Sequence, residues 1–163
     1  MKCVICDNPK ALKKKPITMR YKQCGLENVV LHGVERFRCG HCGEEYINFG
    51  DQEQLHALIA GTLISKKGLL NGREVKFLRT YLGYSGAMFA KRVGYTKETL
   101  SRYENGKVEI SKTFDILLRA LVATSLPDRD YDLHDQILGE QRKTFKLIEL
   151  NVKNDKWHLK QAA

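Results

Sequence analysis

Apolar and polar positions follow two regimes along the chain. Through residue 50, apolar residues are mixed with turn and β-forming residues and show little helical periodicity. Short runs at Ile17–Gln23, Glu27–His32 and Val34–Cys39 read as strands, with Gly25 and Gly33 as punctuation. From residue 51 the spacing changes. Leu55, Leu58, Ile59 and Leu63 recur every three or four residues and predict a helix over 51–67, with Asp51 as its N-cap. Gly68 to Gly72 interrupt the pattern, and a domain boundary is expected there.

Four shorter helices follow. Asn71-Gly72-Arg73-Glu74 opens the first as a capping box, with Val75, Leu78 and Leu82 inward. Ser85 caps the second, whose inward residues are Phe89, Ala90 and Val93. Thr96 caps the third, which buries Leu100 and Tyr103 and closes at Asn105-Gly106. The fourth, Ser111–Ser125, buries Phe114, Leu117, Leu118, Leu121 and Val122 and stops before Pro127. Beyond it come an acidic stretch (Asp128, Asp130, Asp132, Asp135), a helix over Tyr131–Arg142 and a strand over Thr144–Val152. A turn at Asn154-Asp155 then leads to a return strand, Lys156–Leu159, with Trp157 packed as an anchor.

Composition places the chain among globular proteins: 163 residues, 42% hydrophobic and 29% charged. No apolar run is long enough to span a bilayer and the start lacks a signal-peptide core, so a cytoplasmic chain without membrane contact is expected. Net charge is +9 and unevenly spread. Residues 1–50 hold nine basic against five acidic residues, and residues 71–125 hold ten against five. In 51–70 and in 126–163 the signs balance. Two basic blocks of this kind suit a polyanionic partner.

Four of the five cysteines form two pairs, Cys3-Val4-Ile5-Cys6 and Cys39-Gly40-His41-Cys42, with 32 residues between them. Each Cys-x-x-Cys turn brings two thiolates to one ion, and two turns complete the tetrahedral S₄ site that zinc favours. Gly40 and Gly43 can supply the dihedrals and free N–H groups of the second turn. The metal ligands are therefore Cys3, Cys6, Cys39 and Cys42, around one structural zinc ion. His32 and His41 are bystanders, and Cys24 is a left-over thiol outside the set. Cys39-Gly40-His41-Cys42 has the residue order of a disulfide-isomerase site. The region is too short for a thioredoxin-like sheet, however, and that reading leaves the first pair unexplained. Four thiolates also fill the zinc shell, which a catalytic zinc would leave open. No enzymatic activity and no catalytic residues are expected.

The second and third helices carry the more specific signal. Ala90 is fifth from Gly86, where two crossing helices tolerate only a small side chain, and Gly94 is ninth, in the tight turn between them. Phe89, Val93, Leu100 and Tyr103 fill the wedge. The expected fold is thus α+β with two domains. A small β-rich four-cysteine zinc module covers 1–50 and a connecting helix and linker covers 51–70. An all-α helix-turn-helix domain covers 71–125, and a C-terminal extension ending in a β-hairpin covers 126–163.

The segment Val93-Gly94-Tyr95-Thr96-Lys97-Glu98-Thr99-Leu100-Ser101-Arg102-Tyr103-Glu104-Asn105-Gly106-Lys107 resembles the Cro/repressor (XRE) helix-turn-helix family. The resemblance implies a lambda-repressor-like domain whose third helix enters the DNA major groove. Thr96, Lys97, Glu98, Thr99 and Arg102 then face the groove. Arg102 suits guanine, Lys97 guanine or phosphate, and Glu98 cytosine N4. Arg79, Lys91, Arg92 and Lys107 are candidates for phosphate contacts. The second helix of that family often starts with a DNA-touching Gln; here the site is Gly86, which offers only a backbone N–H.

Met1-Lys2-Cys3-x-x-Cys6, the pair Cys39/Cys42 and Ser101-Arg102-Tyr103-Glu104, in that order, resemble the MqsA (YgiT-type) zinc-finger antitoxins over residues 1–125. This implies a homodimer on a palindromic operator in double-stranded DNA, an autorepressor of a type II toxin–antitoxin operon. It also implies that the N-terminal zinc module is structural and contacts a toxin partner, typically a small ribonuclease, rather than DNA. The rival reading is a free-standing transcription factor whose zinc module and C-terminal extension serve dimerisation or another partner. The basic block Lys10, Lys13, Lys14 and Lys15 fits an acidic partner, extra DNA contact or a solvated loop.

Overall fold

Asn71, Ser85, Thr96 and Ser111 each cap a helix in the way their side chains allow, and the helical part of the chain is laid out by these four residues. The computed structural model describes residues 2–9, 12–126, 147–153 and 155–160. Five strands and five α-helices follow in the order β1 (Leu12–Arg20), β2 (Val29–Cys39), β3 (Glu45–Asn48), α1 (Gln52–Ile64), α2 (Gly72–Tyr81), α3 (Gly86–Arg92), α4 (Lys97–Glu104), α5 (Lys112–Ser125), β4 (Ile148–Lys153) and β5 (Lys156–Leu159). No helix among the described residues is long and apolar enough to cross a membrane.

The chain divides into two compact units. One comprises residues 1–21, 28–55 and 147–163, and the other 22–27 and 56–146. The division falls inside α1, after Leu55, and not at the glycine break of 68–72. The reason lies in burial. Ile59, Ala60, Leu63 and Ile64 of α1 are fully buried, and the Arg119 guanidinium takes hydrogen bonds to the carbonyls of Leu63, Ile64, Lys66 and Gly68. The second half of α1 and the following turn are therefore tied to α5.

The first unit is a mixed sheet in the order β1-β2-β4-β5, with β3 also paired to β2. The three N-terminal strands expected from the pattern resolve into two. Val34–Cys39 and the stretch before it are one strand, β2, running through Gly33. Gly33 has φ +75°, and the register slips there, with Ile17 opposite Val34 but Met19 opposite Leu31. The bulge keeps both Leu31 and Val34 in the core. β3 was not foreseen. The C-terminal hairpin was, and its β4 runs parallel to β2, Val29 opposite Ile148. Asp155 makes the hairpin turn at φ +59°, and Trp157 is buried, its indole N–H donating to the Phe49 carbonyl at 3.1 Å. Val29, Leu31, Val34, Leu55, Ile148, Leu150 and Trp157 form this core.

The second unit holds the remaining helices around Val75, Leu78, Phe89, Leu100, Phe114, Leu118 and Val122. Leu82, Val93, Leu117 and Leu121, expected in the core, are only half-buried. Phe114 is central. It meets the rings of Tyr103 at 5.0 Å, Tyr95 at 5.2 Å and Phe89 at 6.3 Å between centroids. Asp115 and Arg119, both fully buried, pair at 2.8 Å, and Asp115 also accepts the Leu70 N–H at 2.9 Å. Every charge of this pair is thus neutralised or hydrogen-bonded, as burial requires. The expected helix over Tyr131–Arg142 and its acidic neighbours lie outside the described residues.

Candidate metal centre and nucleic-acid interface

Two near-identical turns build the metal centre. In the first, the Asp7 N–H donates to the Cys3 carbonyl at 3.0 Å and the Cys3 N–H to the Asn8 carbonyl at 3.1 Å. In the second, the Gly43 N–H donates to the Cys39 carbonyl at 3.1 Å and the Cys39 N–H to the Glu44 carbonyl at 2.8 Å. Each turn closes through a left-handed residue, Gly43 at φ +78° and Asp7 at φ +58°. Gly43 was foreseen. Asp7 was not, although Asp is among the few L-residues that visit this conformation.

The four sulfurs lie within 4.8 Å of one another. Cys3 Sγ is 3.8 Å from Cys42 Sγ, and Cys6 Sγ is 3.6 Å from Cys39 Sγ. A tetrahedral zinc–thiolate site with bonds of about 2.3 Å requires sulfur–sulfur edges of about 3.8 Å. As thiols, Cys39 and Cys42 are driven in opposite directions. N–H groups of Cys42 and His41 hold Cys39 down at about 6, His41 donating to its sulfur at 3.4 Å. At Cys42 the Glu44 N–H pulls downward, but burial and the neighbouring sulfurs outweigh it and push the thiol up to about 12. Four thiolates this close are stable together only around a cation. Distances, donor set and turn geometry fit one structural zinc ion, held by Cys3, Cys6, Cys39 and Cys42. Cys24 lies outside this cluster, and burial pushes its thiol up.

His32 is bound up elsewhere. Its ring nitrogens lie 3.2 Å from Thr18 Oγ1 and 2.9 Å from Glu149 Oε1, joining β1, β2 and β4. Glu149 is held below the usual carboxylate range by His32 first and then by Lys160. No sequence signal pointed to this pairing.

In the helical unit, α3 and α4 are joined by a short turn in which Gly94 has φ +74° and the Tyr95 N–H donates to the Ala90 carbonyl at 2.9 Å. Thr96 caps α4, accepting from the Thr99 N–H at 3.1 Å. One face of α4 is buried through Leu100 and Tyr103, while Thr96, Lys97, Glu98 and Arg102 are exposed and Thr99 is half-buried. Lys91, Arg92 and Lys107 are exposed as well, and the Arg92 guanidinium stands 5.5 Å over the Tyr84 ring. Gly86 has open space where a side chain would stand.

Arg79 departs from expectation. It is buried, its guanidinium gripped by both Glu104 carboxylate oxygens at 2.6 and 3.2 Å and by the Tyr84 carbonyl. Three of its five N–H groups are taken by protein and little of it reaches solvent, so it is not carried forward as a phosphate contact. Glu104, the last residue of α4, is the positioning partner that sequence reasoning missed.

A sheet carrying a four-thiolate zinc site, in a chain whose second unit is built from helices among its described residues, defines a small zinc-bearing α+β protein. The family is more particular. A model of the antitoxin component of bacterial toxin–antitoxin systems, MqsA, matches residues 1–137, and the chain belongs to that family. No curated protein and no solved structure matches it.

Proposed function

We propose that the chain is a sequence-specific DNA-binding autorepressor, the antitoxin of a type II toxin–antitoxin operon. In this reading α3 and α4 form a helix-turn-helix, and α4 enters the major groove as a homodimer binds a palindromic operator. Arg102, Lys97 and Glu98 read base edges with Thr96 and Thr99 beside them, while Lys91, Arg92 and Lys107 meet phosphates. The zinc module holds a toxin partner, and its metal is structural.

One observation carries the reading: the first turn of α4 leaves Thr96, Lys97 and Glu98 in solvent while Leu100 and Tyr103 anchor the opposite face in the core. A helix held by one face and bare along the other, rich in hydrogen-bonding side chains, suits groove recognition. Family membership supports the toxin partner.

The test is selection by the purified chain from random duplexes, with its own promoter included. The expected result is a palindrome with half-sites about one helical turn apart. Selection without enrichment would overturn the proposal. For the partner, co-expression with the neighbouring small gene should yield a stable complex and relieve growth arrest.

A further inference from the structure

Of the three exposed cations proposed to meet phosphates, Arg92 alone has a contact that holds its charged group among the described residues. Its guanidinium stands 5.5 Å over the centroid of the Tyr84 ring, whereas Lys91 and Lys107 have no ion-pair partner there. Tyr84 is itself fixed. Arg79 binds its backbone twice: the Tyr84 N–H donates to the Arg79 carbonyl at 3.2 Å, and the Tyr84 carbonyl accepts from the Arg79 guanidinium. The half-buried Tyr84 ring leans on Phe89, with 5.9 Å between centroids, and Phe89 is fully buried. A ring set by the core, one residue before the Ser85 cap of α3, thus faces the last residue of the same helix.

The geometry points to Tyr84 as a positioning residue for DNA binding, its ring holding the Arg92 guanidinium ready for a backbone phosphate. A guanidinium stacked on an aromatic face engages only its flat side. Its five N–H groups lie in the plane and stay free for phosphate oxygens. Among the described residues no ion pair or hydrogen bond occupies them. A long side chain that must be immobilised when DNA arrives loses rotamer freedom and weakens binding. Over the ring, part of that ordering is complete beforehand. The competing role, a staple between the two ends of α3, is disfavoured by exposure: Arg92 lies in solvent, where such a contact adds little to folding. The inference rests on the DNA-binding reading and adds to it a residue that acts through Arg92. Since phosphate contacts position without specifying, promoter preference should not depend on it.

The experiment measures binding of the full-length, zinc-loaded chain to a duplex of its own promoter and to a random-sequence duplex. Tyr84→Leu should weaken both about two- to fivefold, the range of one exposed cation–π contact. Tyr84→Phe keeps the ring and should bind like wild type. In an Arg92→Gln background, Tyr84→Leu should have no further effect. Arg92→Lys keeps the charge without the planar face and leaves Tyr84 and its packing intact. It should lose about as much as Tyr84→Leu, and it decides the matter if Tyr84→Leu does not fold. A Tyr84→Leu loss that persists in the Arg92→Gln background would overturn the inference. So would an equal loss in Tyr84→Phe, or wild-type binding by Arg92→Lys. The underlying reading fails separately. Coupling of Tyr84 to Arg92 on both duplexes without promoter preference refutes sequence recognition and keeps the role of Tyr84, whereas preference without coupling refutes that role alone.

Discussion

Arg79 on α2 and Glu104 at the end of α4 form a nearly buried two-point ion pair, with the Arg79 Nε to Glu104 Oε1 distance 2.6 Å. The pair fixes the C-terminal end of the helix proposed to read DNA, from a helix that precedes it by 25 residues. Removing one partner strands the other charge with little water to solvate it. Arg79→Ala should therefore cost about 3 kcal/mol. Urea unfolding of this variant, of Glu104→Ala and of the double variant would check it. Strict additivity in that cycle would show that the pair is not coupled.

Gly72 makes the same junction tight. A Cβ there would sit 2.5 Å from the Glu104 carbonyl oxygen and closer still to that of Tyr103. The backbone of α2 cannot retreat without opening the capping box of Asn71 and Glu74. Gly72→Ala, despite the better helix former, should destabilise by about 1–3 kcal/mol. Gly86→Ala, where space is open, should be neutral or slightly stabilising. Thermal unfolding of the two variants side by side gives the contrast.

Chelation should separate the two units. Without zinc the turns at Cys3–Cys6 and Cys39–Cys42 lose the interaction that joins them, and the sheet signal should fall. The helices surround a core of their own, so the helical circular dichroism should persist. Retention of the sheet with zinc demonstrably removed would contradict a structural metal.

Arg102→Ala should weaken binding to the selected operator by about 1–3 kcal/mol and blur one base position, with little change on random duplexes. Equal loss on both would assign Arg102 to phosphate and remove it from base reading.

Acid should weaken the helical unit through His56. Burial lowers its pKa, with its ring edge-on to Phe77 at 5.9 Å. A depressed histidine binds its proton more readily in the unfolded chain, so stability falls as pH drops below the unfolded value of about 6.5. His56→Gln should reduce the loss in melting temperature between pH 8 and pH 5.5. Identical losses in wild type and variant would exclude His56 as the source.

What could be read in advance follows the range of the interactions. The caps and inward faces of α2 to α5 are local; Asn71, Ser85 and Thr96 announced theirs, and Ser111, read as the first residue of its helix, proves to be the cap. The cysteine set was legible from spacing alone. β3 was not, because its four residues, Glu45-Tyr46-Ile47-Asn48, do not alternate: two half-buried residues stand between two exposed ones. Gly33 was read as a break because glycine punctuates strands, whereas here it shapes a bulge within one. Arg79 was read as a phosphate contact from the family resemblance, and the ion pair that buries it was hidden because its partner lies on another helix. The seat of the C-terminal hairpin was equally hidden, since a strand's hydrophobic pattern does not name its neighbour.

The parallel pairing of β4 with β2 has a consequence for the order of synthesis. On the ribosome the cysteine turns and the first three strands emerge early, yet the edge of β2 at Val29–His32 stays open until Ile148–Asn151 arrive. The entire helical unit is translated in between. A chain cut or terminated before residue 148 would keep its helices and its thiolate cluster but present bare strand edge and an uncovered apolar face, which is what quality-control proteases recognise. Ile148–Asn151 thus decide whether the edge of β2, made more than a hundred residues earlier, is protected.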